Sequence, residues 1–380
     1  MHTNHFISLR TGKSYPVVFT DNPPSGADRE VFFAPDRSYA IGVFKETPDE
    51  QHIRKLDALV FHYRDQVLRG KDATESAQLE KLFCWPFDVV TKDGFVGVVF
   101  PTFPSCFFFN ENHAVISKGQ EKRLGWFIEP YHKFFHVSPT ERGDFKDVFH
   151  CAFQLARGIR RLHSLGLVHP DISWSSVLID PITQSTLITS CLDIAVSGLY
   201  EADLIGPLEY NAPEIVAAHA RGSSVIPSLD TDKHSLAVLI YQLLLCRHPL
   251  KGKRRFDEDD SDYRELGVDA LFIENQTDRS TRYDVEWVRN GMHNKKHPYI
   301  FPWMDLDKLP YVILGPYLSD LIERAFVNGL HSPKLRPTAA EWEYALERTV
   351  PLLRHCANSN CPARWFVARD DSSCKCPFCS

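Results

Sequence analysis

The sequence lacks several features that mark common functional classes. Its 43 lysines and arginines are outnumbered by 49 aspartates and glutamates, which leaves a net charge of -6. It therefore has no basic excess of the kind that nucleic-acid-binding surfaces carry. No apolar run approaches the roughly 18 residues that a membrane helix needs, and residues 1–5 do not begin a signal peptide. These absences predict a cytoplasmic protein that binds neither nucleic acid nor a membrane.

Cysteine is present but unevenly distributed, since five of the ten lie in the last 25 residues. Without an export signal, a disulfide framework is not expected. Cys356 and Cys361 form one pair and Cys376 and Cys379 another, which predicts a zinc ribbon with a closed, structural tetrahedral site. Such a short segment would need Zn²⁺ in order to fold. Free thiols are the alternative, and Cys374 could replace Cys376 as a ligand.

One stretch in the middle of the chain, residues 166–180, organises the rest. An amphipathic helix is predicted over residues 144–164, followed by a loop with His169 and Asp171 and then by an apolar strand. This order resembles the junction of helix, catalytic loop and strand in eukaryotic-type Ser/Thr protein kinases, whose loop reads H-R-D-L-x-x-x-x-N.

The resemblance implies catalytic roles for three residues. Asp171 would orient a substrate hydroxyl and accept its proton, and Asp193, where D-F-G is expected, would hold Mg²⁺. Ser176 stands at the position of the loop asparagine and would be a weak second metal ligand. Pro170 replaces the loop arginine, so any activity should not depend on phosphorylation of the activation segment, at Ser197 or Tyr200. The alternative for Asp193 is an aspartate that caps a turn at the end of a strand.

The segment Gly206–Glu214 resembles the G-T-x-x-Y-x-A-P-E end of a kinase activation segment. In that family the final glutamate forms a buried ion pair with a late arginine, which is Arg336 here. The helix predicted over residues 230–246 resembles the buried kinase helix whose aspartate, here Asp232, hydrogen-bonds the backbone of the catalytic loop. Four residues are thus expected to be structural rather than catalytic: His169, Glu214, Asp232 and Arg336.

The glycine-rich nucleotide loop of kinases is only partly present. Val31 fits the valine that closes the pattern G-x-G-x-x-G-x-V, and the three glycine positions hold Pro24, Gly26 and Arg29. In a kinase the backbone N–H groups of this loop lie over the ATP phosphates. An ordinary surface hairpin is the alternative.

The third strand lacks the lysine that pairs with ATP phosphates in kinases. The expected A-x-K reads Ala40-Ile41-Gly42. Arg29 stands where kinases without that lysine carry a substitute, so we expect it to supply the charge; a solvated surface arginine is the alternative. A helix predicted over residues 48–70 offers Asp57 as the acid that orients this cation, although a solvated carboxylate is the simpler interpretation.

Two apolar strands around the turn at residues 92–94 form a predicted hairpin. Together with the preceding Trp85-Pro86 they resemble bacterial kinase-like proteins from stress and tellurite-resistance gene clusters. The resemblance implies a hinge after the second strand, with backbone groups at Pro101 and Phe103 next to the adenine. It also suggests two partners, a metal-dependent protein phosphatase and a von Willebrand-type domain protein.

The expected fold is α+β, a bilobal protein kinase-like fold with a small C-terminal zinc ribbon. Residues 1–103 would form a strand-rich N-lobe, residues 104–350 a helical C-lobe with an insert at 251–310, and residues 351–380 the ribbon. The leading hypothesis is an atypical Ser/Thr protein kinase that uses ATP and Mg²⁺, acts on a protein substrate and carries structural Zn²⁺. A pseudokinase that acts as a binding module, with or without nucleotide, is the alternative, and a ribbon that is itself the working part is a third.

Overall fold

The computed structural model describes residues 3–26, 28–196, 206–223, 225–254, 256, 261–291, 301–368 and 375–379. The chain forms two compact units, Met1–Ser105 with Leu187–Leu192, and Cys106–Thr186 with Asp193–Ser380. The boundary between the units follows Ser105, and the cysteine-rich tail lies within the second unit; the expected division into an N-lobe, a C-lobe and a ribbon stays a prediction. Ser197, Tyr200 and Cys374 lie outside the described residues.

Six strands of the described chain form a closed antiparallel barrel in the first unit, in the order β1-β2-β3-β4-β6-β5. Their bounds are β1 Thr3–Ser8, β2 Ser14–Val18, β3 Arg29–Phe33, β4 Tyr39–Phe44, β5 Asp88–Lys92 and β6 Phe95–Pro101. The pairing of Ile7 with Thr91 and of Ser8 with Val90 closes the barrel. Its interior is apolar because alternate side chains of each strand point inward.

The helix predicted over residues 48–70 is present in the first unit. It consists of α1 (Glu50–Asp57), a π-helical segment (Ala58–Tyr63) and α2 (Arg64–Leu68). Asp49 caps its start by accepting a hydrogen bond from the backbone N–H of His52. A second helix, α3, spans Ala73–Leu82. Leu56 and Val60 pack against barrel residues Phe44 and Val98, which fixes the helix to the sheet.

The second unit is mainly helical and is built around α4 (Phe145–His163) and α6 (Leu229–Leu245). A capping box of Asp144 and Asp147 begins α4 one residue from the predicted start. The remaining α-helices are α5 Pro213–Ala220, α7 Ser261–Tyr263, α8 Val285–Gly291, α9 Phe301–Met304, α10 Pro316–Glu323 and α11 Ala339–Thr349. Nearly every residue of α6 is buried, as its apolar sequence predicts.

Shorter elements complete the chain. The strands are β7 Leu167–Val168, β8 Val177–Asp180, β9 Ser185–Ile188, β10 Ala195–Val196, β11 Leu353–His355 and β12 Trp365–Val367. The π-helical segments are His132–His136, Arg264–Val268 and Arg324–Asn328. The 3₁₀ turns are Ser105–Phe107, Leu124–Trp126, Leu208–Tyr210, Tyr311–Leu314, Pro333–Leu335 and Val350–Leu352.

The described part of the 251–310 insert contributes to the core of the second unit. Its Glu274 is 1% exposed and pairs with the buried Arg247 at 2.7 Å. Trp303 from α9 is buried as well. Across the described residues, no helix combines the length and the apolar character that crossing a bilayer requires.

Candidate active site and metal centre

Asp232 anchors the loop that carries Asp171. It lies in the first turn of α6 and is 2% exposed. Its Oδ2 accepts a hydrogen bond from the backbone N–H of His169 at 2.7 Å and lies 3.1 Å from Nε2 of His163, at the end of α4. Burial raises the pKa of the Asp232 carboxyl, although the hydrogen bond from His163 opposes the rise. The loop backbone therefore has the partner that the resemblance assigns to it.

The Asp171 carboxylate is half-buried and closely surrounded. The Ser173 hydroxyl donates to its Oδ1 at 2.7 Å, and the backbone N–H of Gly206 donates to the carbonyl oxygen of Pro170 at 3.2 Å. A Cβ on Gly206 would lie 2.5 Å from Asp171 Oδ1. Any side chain at position 206 would therefore displace the carboxylate, a requirement that sequence reasoning missed.

Ser176 takes part in the loop backbone. It is 1% exposed, and its hydroxyl donates to the carbonyl oxygen of Asp171 and accepts from the backbone N–H of Ser173 at 3.1 Å. These bonds fix the turn that follows Asp171. The expected role of Ser176 as a second metal ligand stays a prediction.

The register of two short strands brings Asp193 to the end of the ladder where Asp171 lies. In the antiparallel pair of β7 and β10, Val168 is opposite Ala195 and Leu167 is opposite Val196. Asp171 follows β7 by three residues and Asp193 precedes β10 by two, so both carboxylates leave the ladder at the same end. Ile194, which follows Asp193, is fully buried, as expected of an apolar residue at this position.

In the first unit, the side chain of Arg29 covers the position of the missing lysine. Arg29 and Gly42 belong to the neighbouring strands β3 and β4. A Cβ built on Gly42 would lie 3.5 Å from Cδ of Arg29. The Arg29 Nε lies 3.2 Å from the carboxylate of Asp28, and the guanidinium lies 5.5 Å from the centre of the Phe44 ring. The side chain is 19% exposed, and its contact with phosphate stays a prediction.

The other residues predicted to contact a nucleotide also lie in the first unit: Gly26, Val31, Ala40, Pro101 and Phe103. The N–H of Gly26 donates to the carbonyl oxygen of Arg29 at 2.9 Å, and its own carbonyl accepts from Nζ of Lys45 at 2.7 Å. Pro101 ends β6 opposite Tyr39. Their contact with a nucleotide stays a prediction.

Sequence reasoning missed a buried lysine on α1. Lys55 is 3% exposed, whereas Asp57, the acid singled out from the sequence, is exposed. Position 55 lies one helical turn before Leu59, which is fully buried, so the spacing could have placed Lys55 on the apolar face.

The ion pair expected between Glu214 and Arg336 is present. Arg336 donates from Nη1 and Nη2 to the two carboxylate oxygens at 2.8 and 2.7 Å. The Arg336 side chain is fully buried and also donates to the carbonyl oxygens of Gly329, Leu330 and Asp230. The pair ties the end of the Gly206–Glu214 segment to the segment before α11.

The four predicted zinc ligands lie together at the end of the second unit. The sulfurs of Cys356, Cys361, Cys376 and Cys379 are all within 4.8 Å of one another. Two Sγ–Sγ distances are 3.4 Å, between Cys356 and Cys379, and 3.6 Å, between Cys361 and Cys376. Sulfurs bound tetrahedrally at about 2.3 Å from Zn²⁺ would lie about 3.8 Å apart. The cluster therefore fits a structural zinc ion.

The ribbon packs against the body of the second unit, which the sequence did not predict. The ring of Phe378, between the last two cysteines, lies 5.3 Å from Phe145 at the start of α4 and 4.7 Å from Trp303 of the insert. Nζ of Lys146 lies 4.6 Å from the centre of the Trp365 ring. The cysteine cluster is thereby connected to α4, the helix that precedes the loop with Asp171.

Comparisons with solved structures return protein-kinase folds, while no protein-family model matches the chain. A Toxoplasma gondii rhoptry antigen kinase domain aligns with 92% of this chain and 88% of its own, at 15% identity and a TM-score of 0.49. ROP2 of Toxoplasma gondii, described as a virulence factor with a protein-kinase fold and no enzymatic activity, aligns with 92% of this chain and 87% of its own, at 17% identity and a TM-score of 0.49.

Curated relatives are Ser/Thr protein kinases and related enzymes. Rhodopsin kinase GRK7 of Sus scrofa is 31% identical over 145 residues, which is 37% of this chain and 25% of that protein. The Ser/Thr protein kinase stk11 of Xenopus laevis is 27% identical over 192 residues, which is 44% of this chain and 43% of that protein. The chain thus spans less than half the length of either relative. These matches support a protein kinase-like family for this chain.

Proposed function

We propose that this chain is an atypical Ser/Thr protein kinase that transfers the γ-phosphate of ATP to a protein hydroxyl. The observation that carries the proposal is the position of Asp171 and Asp193 at the same end of the β7–β10 ladder. The segment from Gly206 to Glu214 supports a protein kinase over a small-molecule phosphotransferase, because the latter shares only the two aspartate motifs. In this segment Gly206 approaches Asp171, and Glu214 pairs with Arg336.

Asp171 would act on the acceptor hydroxyl. The hydroxyl oxygen forms a bond to the γ-phosphorus, the bond from that phosphorus to the bridging oxygen of ADP breaks, and the hydroxyl proton passes to the Asp171 carboxylate. The hydrogen bond from the Ser173 hydroxyl to Oδ1 restricts the orientation of the carboxylate that would take up the proton.

Asp193 would hold the metal. A carboxylate is the ligand type that Mg²⁺ prefers, usually with water and phosphate oxygens completing the shell. Mg²⁺ held by Asp193 would supply the positive charge that stabilises the phosphate oxygens during transfer. One carboxylate from the chain is consistent with a site that Mg²⁺ shares with its nucleotide.

Arg29 would provide the phosphate cation from β3. Its stem fills the space beside Gly42, the position where kinases carry the lysine. Arginine binds phosphate through two parallel N–H···O bonds and stays charged at every physiological pH. Arg29 on β3 would therefore supply the positive charge that a lysine at the Gly42 position of β4 supplies in other kinases.

One observation favours a second candidate, a pseudokinase that acts as a binding module. The Ser176 hydroxyl is buried and bonds the backbone at Asp171 and Ser173. In that arrangement a kinase-like loop keeps its shape without an asparagine to bind a second metal ion. Loss of one metal contact would remove transition-state stabilisation of the order of several kcal/mol.

Nucleotide binding tests the proposal. Thermal unfolding of the full chain should shift upward with ATP and Mg²⁺ together, because a ligand that binds the native state stabilises it. Asp193→Asn should remove the Mg²⁺-dependent part of the shift, while Asp320→Asn, an exposed site on α10, should keep it. The absence of any shift in the wild type would favour the pseudokinase candidate.

A further inference from the structure

A cavity of about 340 Å³ lies in the second unit, where the ribbon meets the start of α4. Its volume falls at the lower end of the usual range of ligand pockets, about 300–1,000 Å³. The charged residues of its walls are two arginines and two aspartates: Arg142, Arg364, Asp144 and Asp147. Cys361, one of the proposed zinc ligands, also lines it, whereas the proposed catalytic residues do not.

The two aspartates form the capping box of α4. Oδ1 of Asp144 accepts a hydrogen bond from the backbone N–H of Asp147 at 3.1 Å, and Oδ2 of Asp147 accepts one from the backbone N–H of Asp144 at 2.9 Å. Burial, and next the charge of Asp147, raise the pKa of the Asp144 carboxyl. A carboxylate has about four lone-pair sites, so the pair can accept a further donor. A cation placed beside it would offset the repulsion between the two carboxylates.

The two arginines bring positive charge to the same cavity. The Arg142 guanidinium lies 5.1 Å from the centre of the Phe134 ring, and its Nη1 donates to the carbonyl oxygen of Phe134 at 3.3 Å. Arg364 is exposed, and its side chain has no hydrogen bond or ion pair among the described residues. Its carbonyl oxygen accepts from the backbone N–H of Cys356 at 2.7 Å, which fixes its backbone. A guanidinium can bind a carboxylate through two parallel hydrogen bonds.

Apolar side chains complete the walls, and they are Phe134, Pro139, Ile182 and Pro362. Ile182 is 53% exposed, so a ligand that covers it removes apolar surface from water. The cavity therefore combines charges of both signs with an apolar surface.

We infer that this cavity binds an apolar α-amino acid in its zwitterionic form. The carboxylate of the ligand would pair with Arg364, its ammonium with Asp144, and its side chain would cover Ile182. An anion without an ammonium would leave the wall carboxylates unpaired, and a cation without a carboxylate would do the same to the arginines. The inference goes beyond the proposed function and does not depend on it.

Calorimetric titration of the full, zinc-containing chain with L-leucine tests this inference. Two analogues of leucine each lack one charge: isocaproate has no amine, and isoamylamine has no carboxylate. Leucine should bind with a dissociation constant below about 1 mM. Each analogue should bind about tenfold more weakly or worse, because it loses one charged hydrogen-bonded pair. Valine and methionine serve as ligands with other apolar side chains.

Two variants assign the binding to the cavity. Arg364→Gln and Asp144→Asn should each weaken leucine binding to the level of the analogues. Arg364 is exposed, and asparagine caps a helix about as well as aspartate does, so both variants should fold. The matched controls are Arg354→Gln, an exposed ribbon site outside the cavity, and Asp72→Asn, the cap of α3. Both controls should bind leucine as the wild type does.

The outcomes decide the inference whether or not the chain transfers phosphate. Loss of leucine binding in both cavity variants, with both controls intact, would support it. No binding of leucine, valine or methionine at about 10 mM would overturn it. Equal affinity for leucine and either analogue, or leucine binding that survives both cavity variants, would also overturn it.

Discussion

Arg336 and Glu214 stand 122 residues apart in the sequence and form two parallel hydrogen bonds, at 2.8 and 2.7 Å. The arginine is fully buried, whereas the glutamate is 29% exposed. Three backbone carbonyls also accept hydrogen bonds from the same guanidinium. The pair therefore joins the end of the segment that contacts Asp171 to the last helices of the second unit.

Removing Arg336 should destabilise the protein strongly. Arg336→Leu would leave a carboxylate and three carbonyls without their donor, and breaking a buried pair in this way typically costs about 3–5 kcal/mol. The matched control is Arg324→Leu, which breaks a partly exposed pair with Glu341 and should cost about 0–1 kcal/mol. Urea unfolding at pH 7 measures the free energy of unfolding of both variants. Equal losses would show that the buried pair contributes no more to stability than the control pair.

The proposed role of Arg29 predicts a rescue. Arg29→Ala should weaken ATP binding by roughly tenfold or more, because a charged hydrogen-bond partner of phosphate is lost. Adding Gly42→Lys should restore part of the affinity. The lysine has room at this position, because its Cβ would lie 3.4 Å from the Phe100 ring and the truncation removes the Arg29 stem. Calorimetric titration with ATP and Mg²⁺ measures this, with Arg54→Ala, a 73% exposed residue, as the control. Unchanged affinity in Arg29→Ala would refute the role.

Zinc should be structural in this protein. The wild type should contain one equivalent of zinc, and Cys361→Ser should lose it, because a closed tetrahedral site needs all four thiolates. The melting temperature should fall when the zinc is lost, since the ribbon packs on Phe145 and Trp303. Cys106→Ser, outside the cluster, should retain the zinc. Full zinc content in Cys361→Ser would contradict the assigned ligand set.

Folding stability should decrease in mild acid through His248. Burial, and next the nearby Lys251 charge, lower the pKa of His248 to about 3. Its Nδ1 accepts from the backbone N–H of Leu250 at 3.2 Å, and Nε2 lies 2.9 Å from the carbonyl oxygen of Glu209, so the neutral ring suits the site.

The sign follows from the two pKa values. The unfolded chain takes up a proton on this histidine below about pH 6.5 while the folded chain does not, so its stabilising contribution is complete above pH 6.5 and is lost as pH falls toward 3. By pH 5 the loss is about 2 kcal/mol. His248→Gln should show a smaller decrease between pH 7.5 and pH 5 in urea unfolding than the wild type or His62→Gln, an exposed site. The same decrease in all three proteins would contradict this assignment.

The sequence predicted those elements that depend on the spacing of apolar residues or on recognisable motifs. The span of α4, the buried α6 and the cysteine cluster follow from apolar spacing and from the two cysteine pairs. The Glu214–Arg336 pair was also expected, because both residues belong to recognisable motifs although they are distant in sequence.

The unpredicted features depend on contacts that no short pattern encodes. β1 closes the barrel by pairing with β5, far along the chain. Phe378 meets Trp303 only through the folding of the insert. The approach of Gly206 to Asp171 depends on the absence of a Cβ, which a motif match does not reveal.

Transfer of the γ-phosphate tests the central claim most directly. The full chain, incubated with Mg²⁺ and ATP labelled at the γ position, should pass label to its own hydroxyls or to serine peptides in a form that is stable to acid. Asp171→Asn should lose at least about 100-fold in rate, as expected when a general base is removed, while Asp320→Asn should match the wild type. Labelling by the wild type that Asp171→Asn retains, or no labelling by the wild type at any Mg²⁺ concentration, would contradict the account.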